Sequence, residues 1–148
     1  MRQIEVDLLP TRQGLDPSSV FLHPSGVHGR EQLLERLHDR EPFLPLRGPD
    51  GTVRLHAKSA VAALVSSSET DEVTELEGYH PAHARVRIVM RYDNVLEGRL
   101  ILLMPEGHQR VLDFLNQHER FFLLVTDTGA AFVNKDWVDH VVPVTDAL

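Results

Sequence analysis

Apolar and polar residues alternate in short runs along this chain, and the runs come in two sets of the same order. Ile4, Val6 and Leu8 alternate with Glu5 and Asp7, which is the period of a half-buried strand. Residues 10–17 hold Gly14 and two prolines and read as a loop. Residues 20–23 read as a second short strand. Residues 29–40 carry apolar side chains only at Leu33, Leu34 and Leu37, one face of a short helix. Pro42 prevents that helix from continuing. Residues 43–46 and 52–55 flank the turn Gly48-Pro49-Asp50-Gly51 and predict a hairpin, followed by a short apolar strand over 60–65.

The second set is more apolar. Val86, Ile88 and Met90 alternate with Arg85, Arg87, Val89 and Arg91, and Asp93-Asn94 marks a tight turn. Residues 95–104 predict a long strand. Gly98 lies inside it, and an interior glycine often marks a bend. Pro105 and Gly107 end the strand. Val111, Leu112 and Leu115, with Phe114 beside them, repeat the short helix. Residues 121–126 and 130–134 predict a second hairpin around 127–129, and residues 137–144 close the set. Each set reads strand, strand, short helix, strand, strand, short strand.

The two sets also align by identity. Gly29, Leu34, Leu37, Glu41, Phe43, Leu46 and Gly51 fall on Gly107, Leu112, Leu115, Glu119, Phe121, Leu124 and Gly129 at one constant offset. One deletion in the turn then sets Lys58, Val61 and Val65 on Lys135, Val138 and Val142. An internal repeat decides the reading of the whole fold. Between the copies, residues 66–80 pack Glu69, Asp71, Glu72, Glu75 and Glu77 among serines and threonines, which reads as a solvated acidic linker. The expected domains are therefore 1–65, a linker over 66–80, and 81–148.

Five short strands suit a small, strongly bent barrel. The second copy resembles the Sm-like family (Hfq/LSm type) over about 60 residues, less its helical insert. The matching stretches are Val86-Arg87-Ile88-Val89-Met90, Asn94-Val95-Leu96-Glu97-Gly98-Arg99-Leu100 and Phe122-Leu123-Leu124. The closing stretch Val133-Asn134-Lys135-Asp136-Trp137-Val138, with Val141-Val142-Pro143, is similar to that family's second motif in its bacterial form. The expected fold is mainly β with short helices: two tandem small Sm-like or SH3-like five-stranded barrels, each with a helical insert.

In that family the turn matching Asn134, Lys135 and Asp136 lines a ring pore and meets uridine-rich RNA. Lys58 repeats Lys135, so these four residues are candidate ligand-binding positions. The chain departs from the pattern in three ways. Residues 104–120 replace a short connection. Asp136 stands where the bacterial RNA binders carry His, and a carboxylate there repels phosphate. The first copy has no glycine in its second strand. The resemblance also implies open strand edges that pair between barrels. A two-barrel chain can satisfy one edge internally. Three chains can then close a ring of six barrels, or the copies can pack as a monomer or dimer.

Composition shifts the functional reading away from RNA. The chain has 148 residues and a formal charge of −7, which works against non-specific nucleic-acid or anionic-membrane binding. Arg85, Arg87 and Arg91 form one polar face of a strand, a third candidate site for an acidic or phosphorylated group. The acidic linker is the expected intramolecular partner of these arginines. There are no cysteines. His80, His83, His108 and His118 do not reach the three or four ligands at definite spacing that zinc requires, so no metal and no cofactor are expected. No nucleophile-base constellation or phosphate loop stands in the sequence. The N-terminus lacks the basic and apolar regions of a secretory signal, and the expected location is cytoplasmic. The expectation is a non-enzymatic scaffold or regulatory module that binds protein, itself included as a dimer or trimer. The alternative is a ring-shaped RNA-binding oligomer.

Overall fold

In the computed structural model, which describes residues 2–10, 17–22, 32–67, 71–107 and 109–144, the alternating runs become ten strands and three short α-helices. The first half runs β1 (Arg2–Leu9), β2 (Pro17–Leu22), α1 (Leu33–His38), β3 (Phe43–Arg47), β4 (Val53–Ala57), a 3₁₀ turn (Lys58–Ala60) and β5 (Ala63–Ser66). Helix α2 (Asp71–Glu77) follows. The second half runs β6 (Ala82–Met90), β7 (Val95–Leu102), α3 (Val111–Leu115), β8 (Phe121–Val125), β9 (Ala130–Asn134), a 3₁₀ turn (Lys135–Trp137) and β10 (Val138–Pro143). Most of the loop expected over 10–17, residue His23, the start of the first expected helix, three linker residues and His108 lie outside the described residues.

All ten strands pair antiparallel into one open sheet, in the order β10-β6-β7-β8-β9-β5-β1-β2-β3-β4. The expectation of a mainly β chain with short helices holds. The strands form no separate sheets: β5 pairs with β9, from Ala63 opposite Val133 to Ser66 opposite Ala130, and makes the two halves continuous.

Each half repeats the same order, with its fifth strand beside its first. The registers correspond pair by pair. Ile4 faces Val20 as Ala84 faces Leu100, and Val6 faces Ser18 as Val86 faces Gly98. Ser19 faces Arg47 as Arg99 faces Val125. Pro45 faces Leu55 as Leu123 faces Phe132. Leu8 faces Leu64 as Ile88 faces Val141. Gly98 is needed where β7 passes close to β8, because a Cβ there would collide with the backbone of Val125. The first half has another small residue, Ser18, at this place, and it is buried.

Two apolar cores result. One gathers Val6, Val20, Leu33, Leu44 and Leu64 from the first half, together with Phe121, Leu123 and Phe132 from the second. The other gathers Val86, Ile88, Leu100, Phe122, Leu124 and Val133, together with Ala62. Hairpin β8–β9 therefore lies between the cores and is buried on both faces. Its sequence is a continuous apolar run for that reason. Each large side chain fully buried there contributes roughly 1.5–3 kcal/mol.

The expected solvated linker is a correction. Its middle forms α2, with Glu72 and Val73 buried. Glu72 Oε1 accepts from Leu33 N at 2.5 Å, which satisfies an orphan backbone donor at the start of α1, and Glu75 Oε2 accepts from the N-cap side chain Gln32 Nε2 at 2.6 Å. Charge alone suggested solvent; a helix with Val73 facing the core reverses it.

Candidate interaction surfaces

The two lysines that the sequence singles out stand on equivalent 3₁₀ turns, and both turn inward. Lys58 Nζ donates to Asp39 Oδ1 at 2.6 Å and reaches Asp39 O at 3.5 Å, at the C-terminal end of α1. Lys135 Nζ donates to Gln117 O at 2.7 Å, just past the end of α3. Their backbones match as well: Lys58 N donates to Pro42 O and Lys135 N to Arg120 O, each at 2.8 Å. The shared lysine thus ties the inserted helix to the turn after the fourth strand. An ammonium suits the carbonyl end of a helix.

The two sites differ in charge. Lys58 is buried and lies against a carboxylate. Partial burial pushes the Asp39 carboxyl up, but hydrogen bonds from Lys58 and the Glu41 backbone, with the charges of Lys58 and Arg36, hold it below its ordinary value. Lys135 lies on a carbonyl without such a partner. Burial lowers its pKa, and the charge of Glu119 opposes that only in part. It borders an apolar depression of about 330 Å³ lined by Leu34, Leu76, Ile101, Met104 and Phe114.

Asn134 is fully buried. Its Oδ1 accepts from Asp136 N at 3.0 Å, and its Nδ2 donates to Val61 O at 3.0 Å and Lys58 O at 3.4 Å. It therefore clamps the second half to the first. Trp137 Nε1 crosses the same seam to Ser59 O at 2.9 Å. Asp136 is exposed and lies 3.4 Å from Arg120.

The arginine face is exposed but locally paired. Arg87 Nε meets Glu97 Oε1 at 2.8 Å, and Arg85 lies 4.0 Å from Asp127. Arg91 is exposed, and its backbone N donates to Trp137 O. The linker was expected to supply the acids; instead its Glu77 meets Arg99 and His83, each at 2.9 Å. The structure thus brings Asn134, Lys135 and Lys58 to the seam and helix ends, and leaves Asp136 and the three arginines on the outside.

Residues that the sequence reading passed over make a different surface. Nine large apolar side chains are exposed among the described residues, and five of them occupy counterpart positions of packed ones. Phe43 (53% exposed), Val53 (44%) and Leu55 (68%) match Phe121, Ala130 and Phe132, which are buried against the first half. Leu112 (56%) matches Leu34, which packs on the first core, and Val142 (42%) matches Val65, which packs on the second. The first three lie on hairpin β3–β4 at one end of the sheet. Val142 lies on β10 at the other end, with Leu112 on α3. The signal that could have found them was in the alignment: apolar residues stand at both copies of positions that only one copy buries.

Among the described residues, no group of three His, Asp or Glu side chains could hold a metal ion. No helix among the described residues is long and apolar enough to cross a membrane. No family model, no curated protein and no solved structure matches this chain.

Proposed function

We propose that the chain is a tandem pair of Sm-like small barrels acting as a non-enzymatic protein-interaction scaffold. The observation that carries this reading is the pair of apolar side chains exposed on the terminal strands of the sheet, Leu55 on β4 and Val142 on β10. An unpaired strand edge presents a row of backbone donors and acceptors that another chain can extend. The residue-by-residue match of register between the halves supports the tandem reading. Lys58 and Lys135 contribute little to an RNA site while their ammonium groups serve helix ends, and the charge of −7 also disfavours phosphate.

The test is capture of protein on the immobilised chain, compared with Leu55→Lys and Val142→Lys. The expected result is a bound protein, another copy of the chain included, that at least one variant releases. No protein held above the level of both variants, or tight low-salt binding of uridine-rich RNA that Lys135→Ala abolishes, would overturn the reading.

A further inference from the structure

We infer that the depression beside Lys135 is a binding site for a small carboxylic acid with an apolar body, its carboxylate on the Lys135 ammonium and its hydrocarbon part against Leu34, Leu76, Ile101 and Phe114. The inference is independent of the interaction surfaces, because neither Leu55 nor Val142 lines the depression. Protein interiors are close-packed, with few voids larger than a water molecule. An open apolar depression of about 330 Å³ beside a charged group departs from that density and has the size of a small-ligand site. At about 30 Å³ for each water-sized atom, it has room for roughly ten non-hydrogen atoms.

The first half shows what Lys135 lacks. There Lys58 Nζ meets the Asp39 carboxylate at 2.6 Å. The alignment of the halves sets Gln117 on Asp39 and Phe114 on Arg36. The counterpart of the carboxylate is therefore a neutral amide. The counterpart of a guanidinium that meets Asp39 and Glu41 is an aromatic ring that lines the depression. The hollow beside Lys58 is correspondingly charged, with Asp39, Arg40 and Glu41 in its lining. The second half has exchanged an ion network for an apolar wall and kept the lysine. Among the described residues, Lys135 spends one of its three donors, on Gln117 O. A ligand carboxylate takes the place that the Asp39 carboxylate has on Lys58.

Charge selects the head group. One ammonium balances one negative charge, and Glu119, which also lines the depression and acts on Lys135 through its charge, opposes a larger one. A monocarboxylate fits this balance. A phosphate, with close to two negative charges near neutral pH, does not. Burial works against the Lys135 ammonium, and an anion in contact favours it. The apolar wall comes from all three helices and the end of β7, where half-exposed Leu103 leaves the depression open to solvent. Met104 in the same wall is flexible enough to adapt to the shape of the occupant.

Octanoate is of this size and is the probe. Calorimetric titration of the full chain should give saturable binding with a Kd of about 10 µM to 1 mM, the range open to so small a ligand. Amide NMR shifts should cluster on Leu76, Ile101, Phe114 and Lys135. Lys135→Met keeps an apolar stem and should weaken octanoate about tenfold or more, the effect of a hydrogen bond between charged groups. Circular dichroism checks that this variant is folded. Octan-1-ol has the same tail without the charge and should bind wild type and Lys135→Met alike. Glu119→Gln changes an exposed position and should tighten octanoate about two- to fivefold, which keeps the test open if the lysine variant fails to fold. Any of three results overturns the site: no saturable octanoate binding up to about 10 mM, an octanoate affinity unchanged in Lys135→Met, or octyl phosphate bound more tightly than octanoate. None of them bears on protein capture through Leu55 or Val142, so the scaffold reading stands or falls separately.

Discussion

Hairpins β3–β4 and β8–β9 have the same register and opposite surroundings. Pro45 faces Leu55 in one and Leu123 faces Phe132 in the other. Every residue of β8 and β9 is buried, whereas β3 buries only Leu44 and Leu46, and β4 has no buried residue. The difference is one of place in the sheet. Hairpin β8–β9 lies between two cores; β3–β4 ends the sheet and has a core on one side. Equivalent strands thus carry the same pairing pattern, and only the neighbour decides how apolar each face must be. The free face has nevertheless kept Phe43, Val53 and Leu55, which an edge facing water would not require.

The sharpest way to probe this contrast is truncation on equivalent faces. Phe132→Ala should cost about 3–5 kcal/mol, the usual range for a buried aromatic. Leu55→Ala should stay within about 0.5 kcal/mol when measured by urea unfolding of the dilute single chain. Comparable losses at both sites would mean that β4 is covered within one chain. Next comes Gly98 in β7: Gly98→Ala drives a Cβ against Val125 O and should cost about 2–3 kcal/mol by overpacking. A neutral result would show that β7 and β8 can part there freely.

A smaller effect isolates the seam. Asn134→Ala removes the donors to Val61 O and Lys58 O, and a loss of about 1–2 kcal/mol in thermal or urea unfolding is expected. The smallest effect separates the two lysines. Lys58→Met should cost about 1 kcal/mol and Lys135→Met about half that or less. The Lys58 loss carries a pH signature. Asp39 titrates below its unfolded value, so its contribution is complete above the ordinary carboxylate range and is lost as pH falls through the lowered value. The gap between wild type and Lys58→Met should therefore narrow on acidification. A gap that is constant with pH would assign the effect to packing of the lysine stem.

Much of the fold was legible. Alternation located nearly every strand, and β9 spans 130–134 as expected. The turn residues Gly48-Pro49-Asp50-Gly51 fixed the first hairpin, and Pro42 limited the helix. The acidic linker misled because a helix of seven residues with only two apolar side chains, Val73 in the core and Leu76 packed against it, carries little periodic signal. The lysine sites were legible as repeated positions but not as to role. Nothing local says that Lys58 finds Asp39, 19 residues earlier, or that Asn134 reaches Val61, 73 residues earlier.

By itself the sequence determined the strands, their order of appearance and the doubled pattern, because side-chain alternation and turn chemistry act over a few residues. Only the tertiary structure decided that β5 and β9 would join into one sheet, that the repeated lysines would serve helix ends, and that β4 and β10 would be left at its edges. Those outcomes depend on which surfaces meet over long sequence separations, and alternation along a strand specifies a buried face without saying what buries it.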